Sequence, residues 1–145
     1  VIKQFAAMFP DEVKGMIFID PAINEQKLQL TLPDGVWEQR ENLINLKRPK
    51  VGAAREAEIA AMNRNCAIAD DITILPGVPV VLFSSTKSDT TLPGCVEALT
   101  IKMQTHELWI SNMKNSKRIG IEEYPQDILA NKSSVIIDGI KAMLE

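Results

Sequence analysis

Apolar and polar positions alternate along the chain in blocks that predict strands separated by helices. Two short runs, Met16–Ile19 and Val78–Phe83, are continuously apolar, and the second is rich in β-branched residues. Such runs are typical of strands that are buried on both faces of a parallel sheet. A third short strand is predicted at Arg118–Ile121. The pattern therefore predicts an α/β protein, a parallel sheet flanked by helices.

The helices are predicted from apolar residues that recur at intervals of three and four. A first helix ends at Pro10, because proline breaks the hydrogen-bond ladder. A long helix follows the second strand, and a last helix closes the chain. Their apolar stripes are Ile2, Phe5, Ala6 and Phe9 in the first helix, Val96, Leu99, Met103, His106, Ile110 and Met113 in the long helix, and Ile136, Ile140, Met143 and Leu144 in the last. We expect the stripe of the long helix to face the sheet.

The interval between the first two strands contains two weakly apolar helices, predicted near residues 36–46 and 52–66. This interval is far longer than the roughly 10 to 12 residues that a minimal crossover needs. It predicts a separate helical region at residues 23–75, inserted into a core formed by residues 1–22 and 76–145. A plain crossover helix is the alternative.

The first 22 residues resemble the α/β-hydrolase superfamily just after its nucleophile elbow, a Gly-x-Ser-x-Gly turn. The resemblance is carried by Phe9-Pro10-Asp11-Glu12-Val13 at the end of a helix and by Phe18-Ile19-Asp20-Pro21-Ala22 at the end of a strand. It implies a partial α/β-hydrolase fold, the carboxyl-terminal part beginning just after the elbow. Residues 23–75 would then form a helical cap over the active site.

In that family a serine nucleophile, a histidine base and a carboxylic acid cooperate in hydrolysis. The chain contains no Gly-x-Ser-x-Gly. The resemblance implies Asp89 as the acid, because Asp89 follows the second predicted strand; a solvated loop aspartate is the alternative. Asp20, at the end of the first strand, is a weaker substitute, and a role as a turn cap is favoured for it.

The resemblance implies a replaced catalytic histidine, either an altered residue or a naturally inactive relative; a different alignment of this loop is the alternative. Matching Asp127-Ile128 to the last catalytic loop of the family places Gln126 where the histidine is expected. Glutamine does not titrate and therefore cannot act as a general base. The one histidine, His106, lies in a helical stripe and is predicted to be a packed structural residue. Trp37 lies where a cap would overhang a substrate, although packing of the cap also explains it.

Composition narrows the classes of partner. A formal net charge of −3 gives no basic footprint for nucleic acid. No apolar run approaches the roughly 18 residues of a membrane span, so no membrane partner is expected. The two cysteines, Cys66 and Cys95, lack metal-ligand spacing, and with one histidine they do not make a zinc site. We therefore expect no metal, no cofactor and two free thiols in a reducing, cytoplasmic compartment.

The leading hypothesis is the carboxyl-terminal portion of an α/β-hydrolase that acts on an ester, amide or related acyl bond of a small molecule. The chain alone is expected to be inactive, because nucleophile and histidine are missing. Two alternatives stay open: a non-catalytic protein that binds a small apolar ligand, and a structural fragment completed by a partner chain. An open edge at the first strand would pair with the missing amino-terminal half or with a second copy in a homodimer.

Overall fold

Strands and helices alternate along the chain in the computed structural model, which describes residues 2–23, 31–47, 53–72, 77–111, 113 and 115–144. The strands are β1 (Met16–Ile19), β2 (Val80–Ser85) and β3 (Ser116–Ile121). The helices are α1 (Ile2–Met8), α2 (Val36–Lys47), α3 (Ala53–Asp71), α4 (Cys95–Ser111), α5 (Ile128–Asn131) and α6 (Ser133–Leu144). Turns of 3-10 helix occur at Pro10–Glu12 and Pro125–Asp127.

The three strands form one parallel sheet in the order β1-β2-β3. Met16 lies opposite Val80, and Val80 lies opposite Ser116, so the register is continuous across the sheet. All six residues of β2 are buried, as expected for a central strand covered on both faces. The predicted parallel α/β class is confirmed, whereas the α/β-hydrolase fold itself stays a prediction.

Alternation along β2 divides the core into two clusters, because successive side chains of a strand point to opposite faces. One face consists of Ala6, Met16, Phe18, Val80, Leu82 and Ile110, and is covered by α1 and α4. The other consists of Val81, Phe83, Ile121, Ile128 and Ile136, and is covered by α5 and α6. Burial on both faces explains why β2 is continuously apolar in the sequence.

Helix α6 packs closely against β2. A methyl group at Gly139 would lie 2.6 Å from Cζ of Phe83, so only glycine permits this approach. Ile136 is buried, and Ile140 and Met143 pack against the same cluster, which confirms the predicted stripe at these positions. The side chain of Leu144 lies outside the described residues.

The predicted inward stripe of α4 is partly wrong. Val96 is 69% exposed, and the buried residues are Ala98, Thr105, His106 and Ile110. His106 and Ile110 belong to the predicted stripe, whereas Ala98 and Thr105 do not, because one is small and the other polar. The helix is rotated because polar side chains on it reach partners at the ends of β1 and β2, as described below.

Several boundaries differ from those predicted. Strand β2 begins and ends two residues later than the apolar run, and α3 continues beyond Cys66 to Asp71. Residues 122–131, between the third strand and the last helix, where the sequence gives no helical pattern, contain a 3-10 turn and α5, whose Ile128 is fully buried. A helix of four residues is too short to give a periodic signal, so packing of Ile128 determines it.

Helices α2 and α3 lie between β1 and β2 in sequence. The pair contacts the rest of the chain near the start of α2 and near the end of α3. A methyl group at Gly94 would lie 2.9 Å from side-chain carbons of Leu32 and Val36, next to the start of α2. The ammonium group of Lys3 in α1 donates to the carbonyl oxygen of Ala69 in α3. The division into a core and a helical cap stays a prediction. Residues 24–30, 48–52 and 73–76 of the predicted cap region lie outside the described ranges. Among the described helices, none has the length and apolar character needed to cross a bilayer.

Within the described chain β1 and β3 each pair with β2 alone, so the outer edge of β1 is open, as is that of β3. Helix α1 and the residue after it present Ile2, Phe5 and Phe9 to solvent, with exposed fractions of 50%, 47% and 42%. The rings of Phe5 and Phe9 lie 5.1 Å apart, so these side chains form one patch. An unpaired strand edge and an apolar patch are both features of interfaces.

We predict that the purified chain self-associates through this patch at micromolar concentration. Phe5→Glu should shift the equilibrium toward monomer, because a buried carboxylate would oppose contact. Leu108→Glu on α4 is the matched control, since Leu108 is 69% exposed and lies on another helix. Sedimentation velocity measures both. A wild-type chain that sediments as a monomer would contradict the prediction.

Candidate functional site

A pocket of about 340 Å³ opens where loops follow the carboxyl ends of the strands. Its polar lining comes from the end of β1, from α2, from the loop after β2, from α4 and from the loop after β3, and includes Asp20, Arg40, Lys87, Asp89, Lys102 and Gln126. In open parallel sheets this edge is where ligands bind. The volume lies near the lower end of the usual range of ligand pockets, about 300 to 1,000 Å³.

The structure brings three of the predicted site residues together. Asp20, Asp89 and Gln126 all line this pocket, as the topology of a parallel sheet predicts. Gln126 is exposed, in the 3-10 turn after β3. Trp37 is half-buried and does not line the pocket, so the structure does not place it against a ligand there. The catalytic roles of Asp89 and Gln126 stay predictions.

Asp20 joins the ends of β1 and β2. Its backbone has a φ of +40°, a conformation that aspartate adopts more readily than most residues. Its N–H donates to the carbonyl oxygen of Phe83 at 2.8 Å, and its Oδ1 accepts the N–H of Ser85 at 2.7 Å. The side chain thus continues the pairing of the two strands beyond Ile19.

The same carboxylate is neutralised by α4. Lys102 Nζ lies 3.0 Å from Oδ1 and 3.3 Å from Oδ2 of Asp20. The two side chains are only 15% and 9% exposed, so the pair is largely removed from water. Both oxygens of Asp20 therefore have structural partners, which favours the turn-cap alternative over a catalytic role.

His106 is fully buried and hydrogen-bonded through both ring nitrogens. Nε2 lies 2.9 Å from the carbonyl oxygen of Pro21, which can only accept, so Nε2 carries the proton. Nδ1 lies 2.9 Å from Ser84 Oγ and accepts the hydroxyl proton when the imidazole is neutral. Burial lowers the pKa of His106, outweighing the Pro21 hydrogen bond and the charge of Asp20. The prediction of a packed structural histidine is confirmed.

Ser84 and His106 have the hydroxyl and imidazole groups of a hydrolytic pair, but a substrate cannot reach them. Both side chains have no solvent exposure, and neither lines the pocket. A substrate carbonyl therefore has no route to Ser84 Oγ in this conformation. The pair instead fixes α4 against β2 and the segment after β1.

Sequence reasoning missed Lys102 and Ser84. Lys102 and His106 are four residues apart and thus lie on one face of α4, each reaching the strand ends. A polar pair at this spacing beside two buried strands was the available signal. The periodicity of apolar residues does not detect it, because Lys102 lies on the inward face without being apolar.

Asp89 lies at the rim of the pocket and is exposed. Its Oδ1 accepts the N–H of Thr91 at 2.9 Å and the Thr91 hydroxyl at 2.5 Å. This is a local turn in which an aspartate side chain binds backbone two residues further on. The contact fixes the orientation of the carboxylate that the resemblance implies as an acid.

The loop that carries Gln126 is also held in place. Glu123 Oε1 accepts the N–H of Tyr124 at 2.9 Å, and Oε2 accepts the side-chain amide of Asn131 at 3.0 Å. These bonds, the Tyr124 one first, lower the pKa of Glu123. The buried Ser85 hydroxyl lies 2.6 Å from the carbonyl oxygen of Glu123 and 2.9 Å from that of Lys87, so it connects the loops after β2 and β3.

Metal ligands are not grouped in the described part of the chain, where no three His, Cys, Asp or Glu side chains come together. Cys66 is buried, with its Sγ 3.8 Å from the carbonyl oxygen of Ala22, Cys95 is half-buried, and the two form no disulfide. Comparison with protein-family models, with curated proteins and with solved structures found no match. The interpretation of the site therefore depends on its own geometry.

We predict that Asp20→Ala lowers the free energy of unfolding by roughly 2 to 4 kcal/mol. The substitution leaves the Ser85 N–H unsatisfied and the Lys102 charge unpaired. Asp20→Asn should cost less, because an amide oxygen still accepts the Ser85 N–H. The control Asp89→Ala should cost about 1 kcal/mol or less, since its turn is exposed. Urea unfolding measures all three, and equal losses for Asp20→Ala and Asp89→Ala would contradict the assignment.

We predict that stability falls as the pH is lowered below the ordinary pKa of histidine, 6.5. The pKa of His106 is lowered in the folded state. Just below pH 6.5 the unfolded chain therefore binds a proton at this histidine, whereas the folded chain does not. The contribution is complete above the unfolded pKa and is lost toward acid, with a limiting slope of about 1.4 kcal/mol per pH unit. The lowered pKa of Glu123 also makes stability fall toward acid, but only below pH 4.5, the ordinary pKa of that carboxyl group.

Urea unfolding between pH 5 and 8 measures this dependence, and His106→Gln should flatten it. If that variant does not fold, the single histidine NMR signal of the wild type gives the same information, with an expected midpoint below 6.5. A free energy that stays constant from pH 8 to 5, or a histidine midpoint above 6.5, would contradict the prediction.

Proposed function

We propose that the chain is the carboxyl-terminal portion of an α/β-hydrolase and that the pocket at the strand ends receives a small acyl compound. The observation that supports it most is that Asp89 and Gln126 line the same pocket. The resemblance of the sequence points to both residues independently of the structure. They come from the loops after β2 and β3, which are far apart in sequence and adjacent in a parallel sheet.

Of the groups that the proposed hydrolysis needs, the described pocket lining contains a candidate acid, but it contains no nucleophile and no base. Asp89 would orient and stabilise a histidine at position 126, and such a histidine would remove the proton of a serine nucleophile. Gln126 can hydrogen-bond a ligand but cannot accept a proton as a base. The described lining residues thus supply an acid and a binding surface, and the nucleophile and base belong to other parts of the parent protein or to an altered residue.

A non-catalytic binding protein is the second candidate, favoured by two observations. The side chain at the histidine position does not titrate, and the one histidine is sealed in the core with Ser84. In this version the same pocket holds a small, partly apolar ligand without reacting with it. The two candidates agree on the pocket and differ in whether an acyl bond is broken there.

Ester hydrolysis distinguishes the candidates. We predict that the purified 145-residue chain does not hydrolyse p-nitrophenyl butyrate above the rate of the buffer. The complete reading frame of the gene, expressed with Gln126→His, should hydrolyse it, and Asp89→Asn in that background should lower kcat by about a thousandfold or more. Asp127→Asn is the matched control, because this neighbouring carboxylate does not line the pocket.

Two results would overturn the hydrolase proposal. One is hydrolysis by the 145-residue chain that is abolished by substituting a residue within it. The other is equal activity of the Asp89→Asn and Asp127→Asn variants in the Gln126→His background. If every version is inactive while a ligand still binds the pocket, the non-catalytic candidate is the correct one.

A further inference from the structure

The pocket carries more positive than negative groups. Three cationic side chains, Arg40, Lys87 and Lys102, share its lining with two carboxylates, Asp20 and Asp89. This balance is opposite to that of the whole chain, whose net charge is −3. A local excess of one sign in a cleft attracts ligands of the other sign.

The existing contacts show which charges are already compensated. Lys102 and Asp20 neutralise each other at 3.0 Å. The carboxylate of Asp89 is occupied by the N–H and hydroxyl of Thr91. Two of the five charged groups thus form a closed pair, and a third lies in its own turn.

The other two cations, Arg40 and Lys87, make contacts that do not use all of their hydrogen-bond donors. Arg40 uses Nη1 on the carbonyl oxygen of Pro93, at 3.0 Å, and a guanidinium group has five N–H donors. Lys87 Nζ lies 5.8 Å from the centre of the Tyr124 ring, a contact that orients the ammonium group without using its hydrogen-bond donors on an anion. Arg40 and Lys87 are therefore equipped to receive a negatively charged group.

The rest of the lining is apolar and limits the ligand in size. Ile23, Leu92, Ala98 and Leu99 contribute to the walls. A volume of about 340 Å³ holds the equivalent of roughly ten water molecules, which accommodates a short aliphatic chain. The pocket thus combines an apolar wall with two available cations.

We propose that the pocket binds a small organic carboxylate, with Arg40 and Lys87 holding the charged end and the apolar wall holding a short chain. Guanidinium and carboxylate match in geometry, which favours a carboxylate at Arg40. The proposal deepens the proposed function, because an acyl substrate there would carry a carboxylate away from the reacting bond. Binding does not require the hydrolytic residues, so it is tested separately from hydrolysis.

The test is an NMR titration of the 15N-labelled 145-residue chain with hexanoate, hexanamide and inorganic phosphate. Hexanamide has the same chain without the charge, and phosphate has charge without the chain. We expect hexanoate to bind at least about tenfold more tightly than hexanamide, with shifts at Lys87, Ala98 and Leu99. Added salt should weaken hexanoate more than hexanamide.

The variant Arg40→Gln/Lys87→Gln should remove the preference for hexanoate. Arg64→Gln/Lys141→Gln is the matched control, since it removes the same charges from exposed positions on α3 and α6. Equal affinity for hexanoate and hexanamide, shifts outside the pocket, or the same loss in the control variant would overturn the proposal. Binding of phosphate as tightly as hexanoate would overturn the carboxylate assignment. If the double variant does not fold, the salt dependence and the hexanamide comparison on the wild type decide the question.

Discussion

The carboxylate of Asp20 is the contact on which the arrangement of this fold most depends. It accepts the N–H of Ser85 and pairs with Lys102, so one side chain connects β1, β2 and α4. Hydrophobic burial brings these elements together but does not fix their relative position, because it has no preferred direction. A largely buried ion pair does, since leaving either partner without the other costs several kcal/mol.

The consequence for α4 is a rotation that apolar residues alone do not specify. His106 bonds Pro21 and Ser84 one helical turn beyond Lys102, so two polar side chains attach the same face of the helix to the strand ends. This places Ala98 against the pocket and leaves Val96 in solvent. The pocket therefore owes part of its shape to buried polar groups, and α2 adds Arg40 to the lining.

The polar side chains at the strand ends fall into two groups, those that are buried and bonded to one another and those that line the pocket opening. Ser84, His106, Asp20 and Lys102 satisfy one another and are closed to solvent or nearly so. Asp89, Lys87, Arg40 and Gln126 lie in loops or on α2 around the opening. The strand ends thus carry the buried polar contacts, and the loops around them carry the side chains that line the opening, which is the usual arrangement of ligand sites on α/β sheets.

The sequence by itself determined the three parallel strands, the last helix and the placement of Asp89 and Gln126 at one edge of the sheet, because burial on two faces produces apolar runs and parallel strands end at one edge. It did not determine the inward face of α4, the turn of α5 or the partners of Asp20. Those depend on residues distant in the chain, as Asp20 and Lys102 are, and no local pattern records which polar side chain will find a buried partner. Only the tertiary structure decided that His106 bonds Ser84 and Pro21 while Arg40 and Lys87 line the pocket.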